Sequence, residues 1–138
     1  MAGVIQLQGH PGVGPPAEGE AIVSREGFSA RYDYDRYQGV ISRETHELFG
    51  QSIVGKIAVF GKSKGGVATS WMMLDMVQRE TCPAGFLFGR TNPVMVQGAV
   101  FAEVALMHEL EPDPLEAIRT GDYVKMIPAE GIVEVTRR

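Results

Sequence analysis

The sequence predicts a mixed α/β fold in which one barrel-like sheet is flanked by two or three short helices. Three observations predict this class. The 138 residues are 44% hydrophobic, which is enough for a single domain, residues 1–138, around one core. The 17 glycines and 8 prolines favour many short elements joined by turns. Short β-prone runs alternate with helical patterns and end in a hairpin, and a doubly wound parallel sheet is the alternative.

The N-terminal residues 1–18 are predicted to form a flexible or partner-contacting arm. Residues 9–16 contain too many glycines and prolines for a helix or a strand. The first predicted strand is a short β-prone run at residues 21–24. Residues 25–38 then form a long polar and aromatic loop, and loops of this length often carry function.

A strand, a glycine-rich turn and a helix are predicted in the middle of the chain. Residues 53–60 end in a β-branched and aromatic run that is typical of a strand. Residues 61–66 supply the turn. Residues 68–79 have helical periodicity, with an apolar stripe made of Ala68, Met72, Met73, Met76 and Val77.

A strand at residues 85–88 and a short helix come next. Asn92 is placed to cap this helix and Pro93 suits its first position. Gly98 is predicted to stop the helix after little more than one turn. Residues 99–102 fit a strand or a helix equally well.

The last third of the chain repeats the same helix signal and then forms a hairpin. Asp113 and Pro114 again place a capping residue before a proline, so a second short helix is expected there. Residues 123–127 and 132–135 are β-prone runs that follow a Gly-Asp turn. We expect these two runs to pair with each other.

Composition and charge argue against several classes of function. The net charge is −4 and the basic residues are scattered among acids, which leaves no electrostatic footprint for nucleic acid. No apolar stretch approaches the roughly 20 residues that span a bilayer, and the first residues lack the pattern of a secretory signal. We therefore expect a cytoplasmic protein with neither nucleic-acid nor membrane partners.

The residue types that bind metals are too few and too dispersed to form a site within this chain. Cys82 is the only cysteine, so neither an internal disulfide nor a thiolate cage is possible. His10, His46 and His108 lie far apart and in no metal-ligand spacing. The sequence predicts that this chain alone binds no metal.

Residues 61–70 are the strongest candidate for an anion site. Backbone N–H groups at a helix start, together with the helix dipole and two nearby lysines, favour a carboxylate or a phosphate. Nucleotide binding is disfavoured, because Val67 and Ala68 stand where a phosphate-binding loop has Lys and Ser or Thr. The alternative interpretation is an ordinary tight turn with Thr69 or Ser70 as the helix cap.

A second candidate cluster lies in the loop at residues 25–37, which is rich in arginine, tyrosine and aspartate. Ser29 and Arg31 could donate hydrogen bonds to an acidic ligand, the arginine through its bidentate fork. The alternative is a solvated loop whose side chains pair with one another, since surface ion pairs are common and contribute little.

Taken in order, several motifs resemble the small subunit, or swivel domain, of the aconitase X family. The likeness runs from about Gly19 to the C-terminus. The matching stretches are residues 18–24, 28–29, 39–41, 46–56, 98–102, 120–124 and 131–133.

The resemblance implies an aconitase-like β/β/α swivel domain that packs over a larger subunit, with the active site between them. The aconitase X large subunit would hold the iron-sulfur cluster or iron, and this chain would be inactive without it. The family's activities are dehydrations of small hydroxy acids, notably cis-3-hydroxy-L-proline and phosphomevalonate. A hydro-lyase subunit acting on a small carboxylate substrate is therefore expected.

The resemblance also implies that the small subunit contributes a serine as proton acceptor at the start of the helix. In the ungapped alignment Gly65 falls on the family's glycine and Gly66 falls on that serine, so this sequence departs from the pattern there. The catalytic candidates are Ser70, Thr69 and Ser63. The candidates for substrate binding are Ser29, Arg31, Lys64, Gly65 and Gly66.

Three functions remain open from the sequence. The first is a catalytic share in the dehydratase. The second is a non-catalytic anion-binding or regulatory subunit that has lost the serine. The third is a lyase or isomerase subunit for a different carboxylate, with the acid-base group supplied by the partner.

Overall fold

The computed structural model describes residues 4–64 and 68–137, and side chains are described outside residues 68–70. The strands are β1 (Val4–Gly9), β2 (Ala17–Ser24), β3 (Tyr34–Asp35), β4 (Val40–Ile41), β5 (Ile57–Lys62), β6 (Gly85–Arg90), β7 (Ala105–His108), β8 (Leu110–Glu111), β9 (Tyr123–Ile127) and β10 (Ile132–Thr136). The helices are α1 (Ala68–Gln78), α2 (Pro93–Ala102) and α3 (Pro114–Ala117), with a 3-10 turn at Pro128–Glu130.

Eight of the strands in the described part of the chain form one sheet, in the order β7-β6-β5-β2-β9-β10-β1-β8. Strands β2, β5, β6 and β7 run parallel, and the β2-β9, β9-β10, β10-β1 and β1-β8 pairs are antiparallel. The two outermost strands, β7 and β8, are separated along the chain only by Glu109. The sheet therefore curls back on itself, which confirms the barrel-like sheet rather than a doubly wound one.

Strand β2 joins the two halves of this sheet. Its first half, from Ala17 to Glu20, pairs with β9, and its second half, from Ala21 to Ser24, pairs with β5. A strand that changes partner midway lets one sheet continue round a bend. The structure begins β2 four residues before the predicted strand.

The parallel strands are buried on both faces, because their side chains alternate between two cores. Phe60, Phe86 and Phe88 face α1 and α2 in the first core. Val59 and Leu87 face the barrel interior in the second core, where the antiparallel strands contribute further apolar side chains. This arrangement explains why these strands read as continuous apolar runs.

Helix α1 matches the prediction within one residue at its C-terminus, and Met72, Met73 and Met76 of the predicted stripe are buried. Helix α2 is longer than predicted, because Gly98 does not stop it. The buried stripe of α2 is Met95, Gly98, Ala99 and Ala102. These residues follow helical spacing and pack toward α1 and the sheet, so burial of the stripe outweighs the cost of one glycine.

The N-terminal segment differs from the predicted arm. Val4–Gly9 is a strand that pairs with β10 on one side and with β8 on the other, and Leu7 is fully buried. Residues 10–16 connect it to β2, and Val13 forms a bridge to Leu106 of β7. The glycines and prolines therefore mark a connection between two strands.

Strand β5 begins four residues after the predicted start, since residues 53–56 form a turn, and it extends into Gly61 and Lys62. The long loop contains the small β3-β4 hairpin. The short helix at Asp113 and the C-terminal hairpin are confirmed. No described helix is long and apolar enough to cross a membrane.

Candidate functional site

Three polar segments meet at the carboxyl ends of the parallel strands. The register pairs Ser24 with Phe60 and Lys62 with Arg90, so the residues that follow β2, β5 and β6 emerge at one edge. In open and barrel-like α/β sheets this edge is the usual place for a ligand. The candidate site is therefore built from the loop after β2, the residues after β5 and the start of α2.

Ser63 lies at the centre of a small hydroxyl and amide cluster. Its N–H donates to the Arg90 carbonyl at 2.9 Å, its Oγ lies 2.9 Å from Thr91 Oγ1, and Asn92 Nδ2 donates to the same Oγ at 3.3 Å. The Asn92 Oδ1 caps α2 by accepting the Met95 N–H at 2.9 Å. Ser63 is thus held by the residues that begin α2.

A cleft of about 440 Å³ opens beside this cluster. It lies between the start of α2 and the end of β7, and its lining residues are Thr91, Asn92, Pro93, Val96, Gln97 and His108. The cleft is large enough for a small organic acid.

The second cluster centres on Asp33, whose side chain is almost completely buried. Its Oδ2 accepts the Ser29 N–H at 2.9 Å and lies 3.4 Å from Lys64 Nζ. Its Oδ1 accepts a hydrogen bond from Arg43 Nε. The buried carboxylate thus links the loop after β2 to the residue that precedes the glycine pair.

Glu26 and His46 support the same loop. The Glu47 backbone N–H, which donates to Glu26 Oε2, holds the pKa of the Glu26 carboxyl below its usual value. His46 Nδ1 accepts the Leu48 N–H at 3.1 Å and Nε2 lies 3.0 Å from the Gly27 carbonyl, so Nε2 carries the proton. The His46 Nδ1 lies 3.8 Å from Glu26 Oε2.

The predicted site residues fall into separate groups. Ser29 and Lys64 meet through Asp33, whereas Ser63 lies with Thr91. Arg31 is exposed, with its guanidinium 5.4 Å from the centre of the Tyr32 ring.

Four predicted residues are described incompletely or not at all. Gly65 and Gly66 lie outside the described residues. Thr69 and Ser70 lie in the first turn of α1, without described side chains. Their roles stay predictions.

Sequence reasoning missed three members of these clusters. Arg43, Thr91 and Asn92 were not among the predicted site residues, and Asp33 was one member of a larger polar set. Thr91 and Asn92 follow β6 as Ser63 follows β5, so the rule that ligands bind at the carboxyl ends of parallel strands would have found them. Nothing in the sequence pairs Arg43 with Asp33.

No group of three or more metal-ligating side chains occurs among residues 4–64 and 68–137. Cys82 packs against the first core, and burial raises the pKa of its thiol to about 12. A neutral thiol in that position is a poor ligand for iron. The residues described here do not fit an iron-sulfur cluster.

Comparisons with known proteins agree on one family. The model of the aconitase X swivel domain matches residues 6–135. The phosphomevalonate dehydratase small subunit of Methanosarcina mazei is 35% identical over 122 residues, which cover 88% of this chain and 85% of that protein. The protein of the same name from Methanopyrus kandleri is 34% identical over 120 residues, covering 87% and 88%.

A crystal structure of Thermococcus kodakaraensis aconitase X in its holo form superposes with a TM-score of 0.87. It is 28% identical and the match covers 95% of this chain and 98% of that chain. The family model and the solved structure therefore point to aconitase X, and the curated relatives are small subunits.

Proposed function

Because this chain belongs to the aconitase X swivel-domain family, we propose that it shares, with a large subunit, the active site of a hydro-lyase for a phosphorylated hydroxy acid. Phosphomevalonate is the first candidate, since that substrate is named for its relatives. The predicted hydro-lyase small subunit is confirmed as a class, and the predicted swivel fold is confirmed. The substrate is the step that needs a test.

One observation supports an anionic substrate: Lys64 lies at the carboxyl ends of the parallel strands, where Asp33 contacts its ammonium group and its side chain is still accessible to solvent. Its side chain is 38% exposed and its neighbour Asp33 is already paired with Arg43. A lysine there can bind a phosphate or a carboxylate as a point charge. Ser63 and Thr91 add hydroxyl groups on the adjacent strand ends.

In this proposal the large subunit carries the iron-sulfur cluster or iron. The metal would supply Lewis-acid chemistry at the leaving hydroxyl. This chain would bind the anionic group, exclude water from the cleft and, through Ser63, Thr69 or Ser70, place a hydroxyl near the reacting proton. A serine that accepts a proton needs a neighbouring group to activate it.

Reconstitution tests the proposal. The chain would be expressed with an aconitase X large subunit from the same organism, and the complex would be assayed for loss of water from phosphomevalonate and from cis-3-hydroxy-L-proline. Turnover of phosphomevalonate alone supports the proposal. Turnover of hydroxyproline alone would move the substrate to the imino acid, and no dehydration of any hydroxy acid would contradict the lyase role.

A non-catalytic anion-binding subunit is the second candidate, because in the ungapped alignment Gly66 falls on the serine that the family resemblance implies as proton acceptor. The variants Ser63→Ala, Thr69→Ala and Ser70→Ala separate the two in the same assay. If one of them lowers kcat by about a hundredfold or more, this chain supplies an acid-base group. If all three leave kcat unchanged, the acid-base group belongs to the partner.

A further inference from the structure

The loop between β2 and β4 contacts the chain on both sides of the glycine pair at residues 65–66. Asp33 contacts Lys64, which precedes the pair. Arg36, three residues further along, contacts the first turns of α1, which follow it. One short loop therefore contacts the residues that precede and the residues that follow the predicted anion site.

Three contacts hold Lys64. Its N–H donates to the Phe28 carbonyl at 2.8 Å, and its Nζ lies 3.4 Å from Asp33 Oδ2. Its aliphatic stem crosses Gly27 so closely that a Cβ at that glycine would lie 2.9 Å from Lys64 Cε. The backbone, the stem and the head group of Lys64 are all constrained, and its side chain is still partly exposed.

Asp33 does not need Lys64 for its own neutralisation. Arg43 donates to the other carboxylate oxygen, and the Ser29 N–H binds the same oxygen as Lys64. A buried carboxylate with a charged partner and a backbone donor is already satisfied. The contact with the partly exposed Lys64 therefore acts chiefly on the lysine, whose long side chain would otherwise sample many rotamers.

Arg36 holds the other flank. Its guanidinium lies over the Trp71 ring, 5.0 Å from the ring centre, and pairs with Asp75 one turn later. Arg79 also pairs with Asp75 at 2.9 Å and stacks on Tyr37. These stacked and paired groups fix α1 against the same loop, from Trp71 in its first turn to Arg79 just beyond its end.

From this geometry we infer that Asp33 is a positioning residue of the substrate site, which aims the Lys64 ammonium at the anionic group of the substrate. Arg36 fixes α1, which follows the glycine pair, through Trp71 and Asp75. The inference rests on the proposed function, since it assigns Lys64 to the substrate. It gives the loop after β2 a role that the predicted residues Ser29 and Arg31 did not capture.

Removing the charge of Asp33 distinguishes positioning from simple electrostatics by the sign of the effect. A carboxylate close to an anion site repels the anion, so its loss would tighten binding if charge alone mattered. If Asp33 aims Lys64, its loss weakens binding. The substitution Asp33→Asn keeps the size of the side chain and an oxygen for the Ser29 N–H.

The experiment is a double-mutant cycle in the complex with the large subunit, using Asp33→Asn, Lys64→Met and both together. We expect each single change to raise KM for phosphomevalonate about tenfold, with a smaller change in kcat, because a hydrogen bond to a charged group is lost. We expect the double variant to match Lys64→Met, since Asp33 acts through Lys64. Asp35→Asn, in the same loop, is the matched control and should leave KM unchanged.

Three results would overturn the inference: a lower or unchanged KM in Asp33→Asn, effects that add in the double variant, or a normal KM in Lys64→Met. The midpoint of thermal unfolding, measured for every variant, separates a loss of folding from a loss of positioning. If the wild-type complex dehydrates nothing, the proposed function fails by itself. The same cycle is then measured by titration calorimetry with inorganic phosphate, where an Asp33 effect that is absent or independent of Lys64 overturns the positioning role.

Discussion

Burial raises the pKa of two side chains in this protein, the Cys82 thiol and the Tyr34 phenol. The Cys82 thiol packs against the first core, and its pKa is raised to about 12. Burial also raises the pKa of the Tyr34 phenol, whose hydroxyl donates to the Thr81 carbonyl. Both groups are protonated in the folded chain at neutral pH.

The thiol makes stability depend on pH in a defined window. The folded pKa is above the value of 9.0 for an unperturbed thiol, so the folded state binds more protons than the unfolded state between pH 9 and 12. The free energy of unfolding should therefore fall through this range, with a contribution from Cys82 of up to about 1.4 kcal/mol per pH unit. Urea unfolding at several pH values measures it.

Cys82→Ala is the matched control for this prediction. The free energy of unfolding of this variant should fall less steeply with pH than that of the wild type above pH 9. The pH dependence that comes from Tyr34 should remain. Equal slopes for the two proteins would contradict the assignment.

Short-range signals made some single residues predictable. The capping roles of Asn92 and Asp113 follow from sequence neighbours alone, and both side chains accept the backbone hydrogen bonds expected of a cap. The Asp33 pairs with Arg43 and Lys64 join residues 10 and 31 positions apart, counting along the numbering. Such pairs depend on the path of the chain in three dimensions. The sequence therefore indicated the polar residues but did not predict which of them pair.

At the scale of elements, the start of α2 couples helix stability to the candidate site. Asn92→Ala removes both the cap on the Met95 N–H and the amide donor to Ser63. We expect a loss of about 1 kcal/mol in the free energy of unfolding. Chemical denaturation measures it.

Asn92→Ser separates the two roles of Asn92. Serine keeps an oxygen for the cap but has no amide donor, so it should retain most of the stability. A loss as large as that in Asn92→Ala would mean that the contact with Ser63, and not the cap, stabilises the fold.

Strand β1 is the element that sequence reasoning placed least well. Leu7 is fully buried between β10 and β8 in the second core. Leu7→Ala should lower the free energy of unfolding by about 3 kcal/mol. Gln8→Ala, an exposed neighbour on the same strand, should change it by less than about 0.5 kcal/mol.

Similar small effects at Leu7 and Gln8 would indicate a loosely attached strand, as expected for an arm.

The prediction of an arm in place of strand β1 has a physical reason. The polar residues of β1 alternate with Ile5 and Leu7, yet the adjacent run of glycine and proline dominated the pattern. Gly98 misled for a similar reason, because its local cost is offset by packing that only the tertiary structure supplies.

For the whole molecule, the curled sheet leaves few unpaired backbone groups on its outermost strands, β7 and β8. Val13 and Leu106 exchange two backbone hydrogen bonds of 3.0 Å, which cover the outer side of β7, and β8 lies against β1. Covered edges suppress pairing with other chains and tie the ends of the sheet together. We expect the strands to open as one cooperative unit.

Hydrogen exchange tests this cooperativity. The Leu106 amide in β7 should exchange with the same free energy as amides of the central strand β5, equal to that of global unfolding. Amides of the small β3-β4 hairpin should exchange faster. A much lower free energy at Leu106, insensitive to denaturant, would show that the sheet opens at β7 first.

The class of fold was predictable because it depends on the number and size of the elements, which glycine, proline and apolar runs reveal locally. The closure was not, because it depends on the single residue Glu109, at which the chain passes from β7, which pairs with β6, into β8, which pairs with β1. Glu109 adopts a left-handed backbone conformation with φ of 55°. Residues other than glycine rarely adopt this conformation, so a glutamate in the sequence does not predict it.

The register of β1 with β10 places Val4 directly opposite Thr136. Anything attached beyond either residue would therefore leave the surface at the same point, whichever end it is fused to. A short linker could join these two positions, and the order of the elements could be permuted by opening an exposed turn such as Gly50–Gln51. The architecture thus permits a circular permutant in which every strand keeps its neighbours while the chain begins at a different residue.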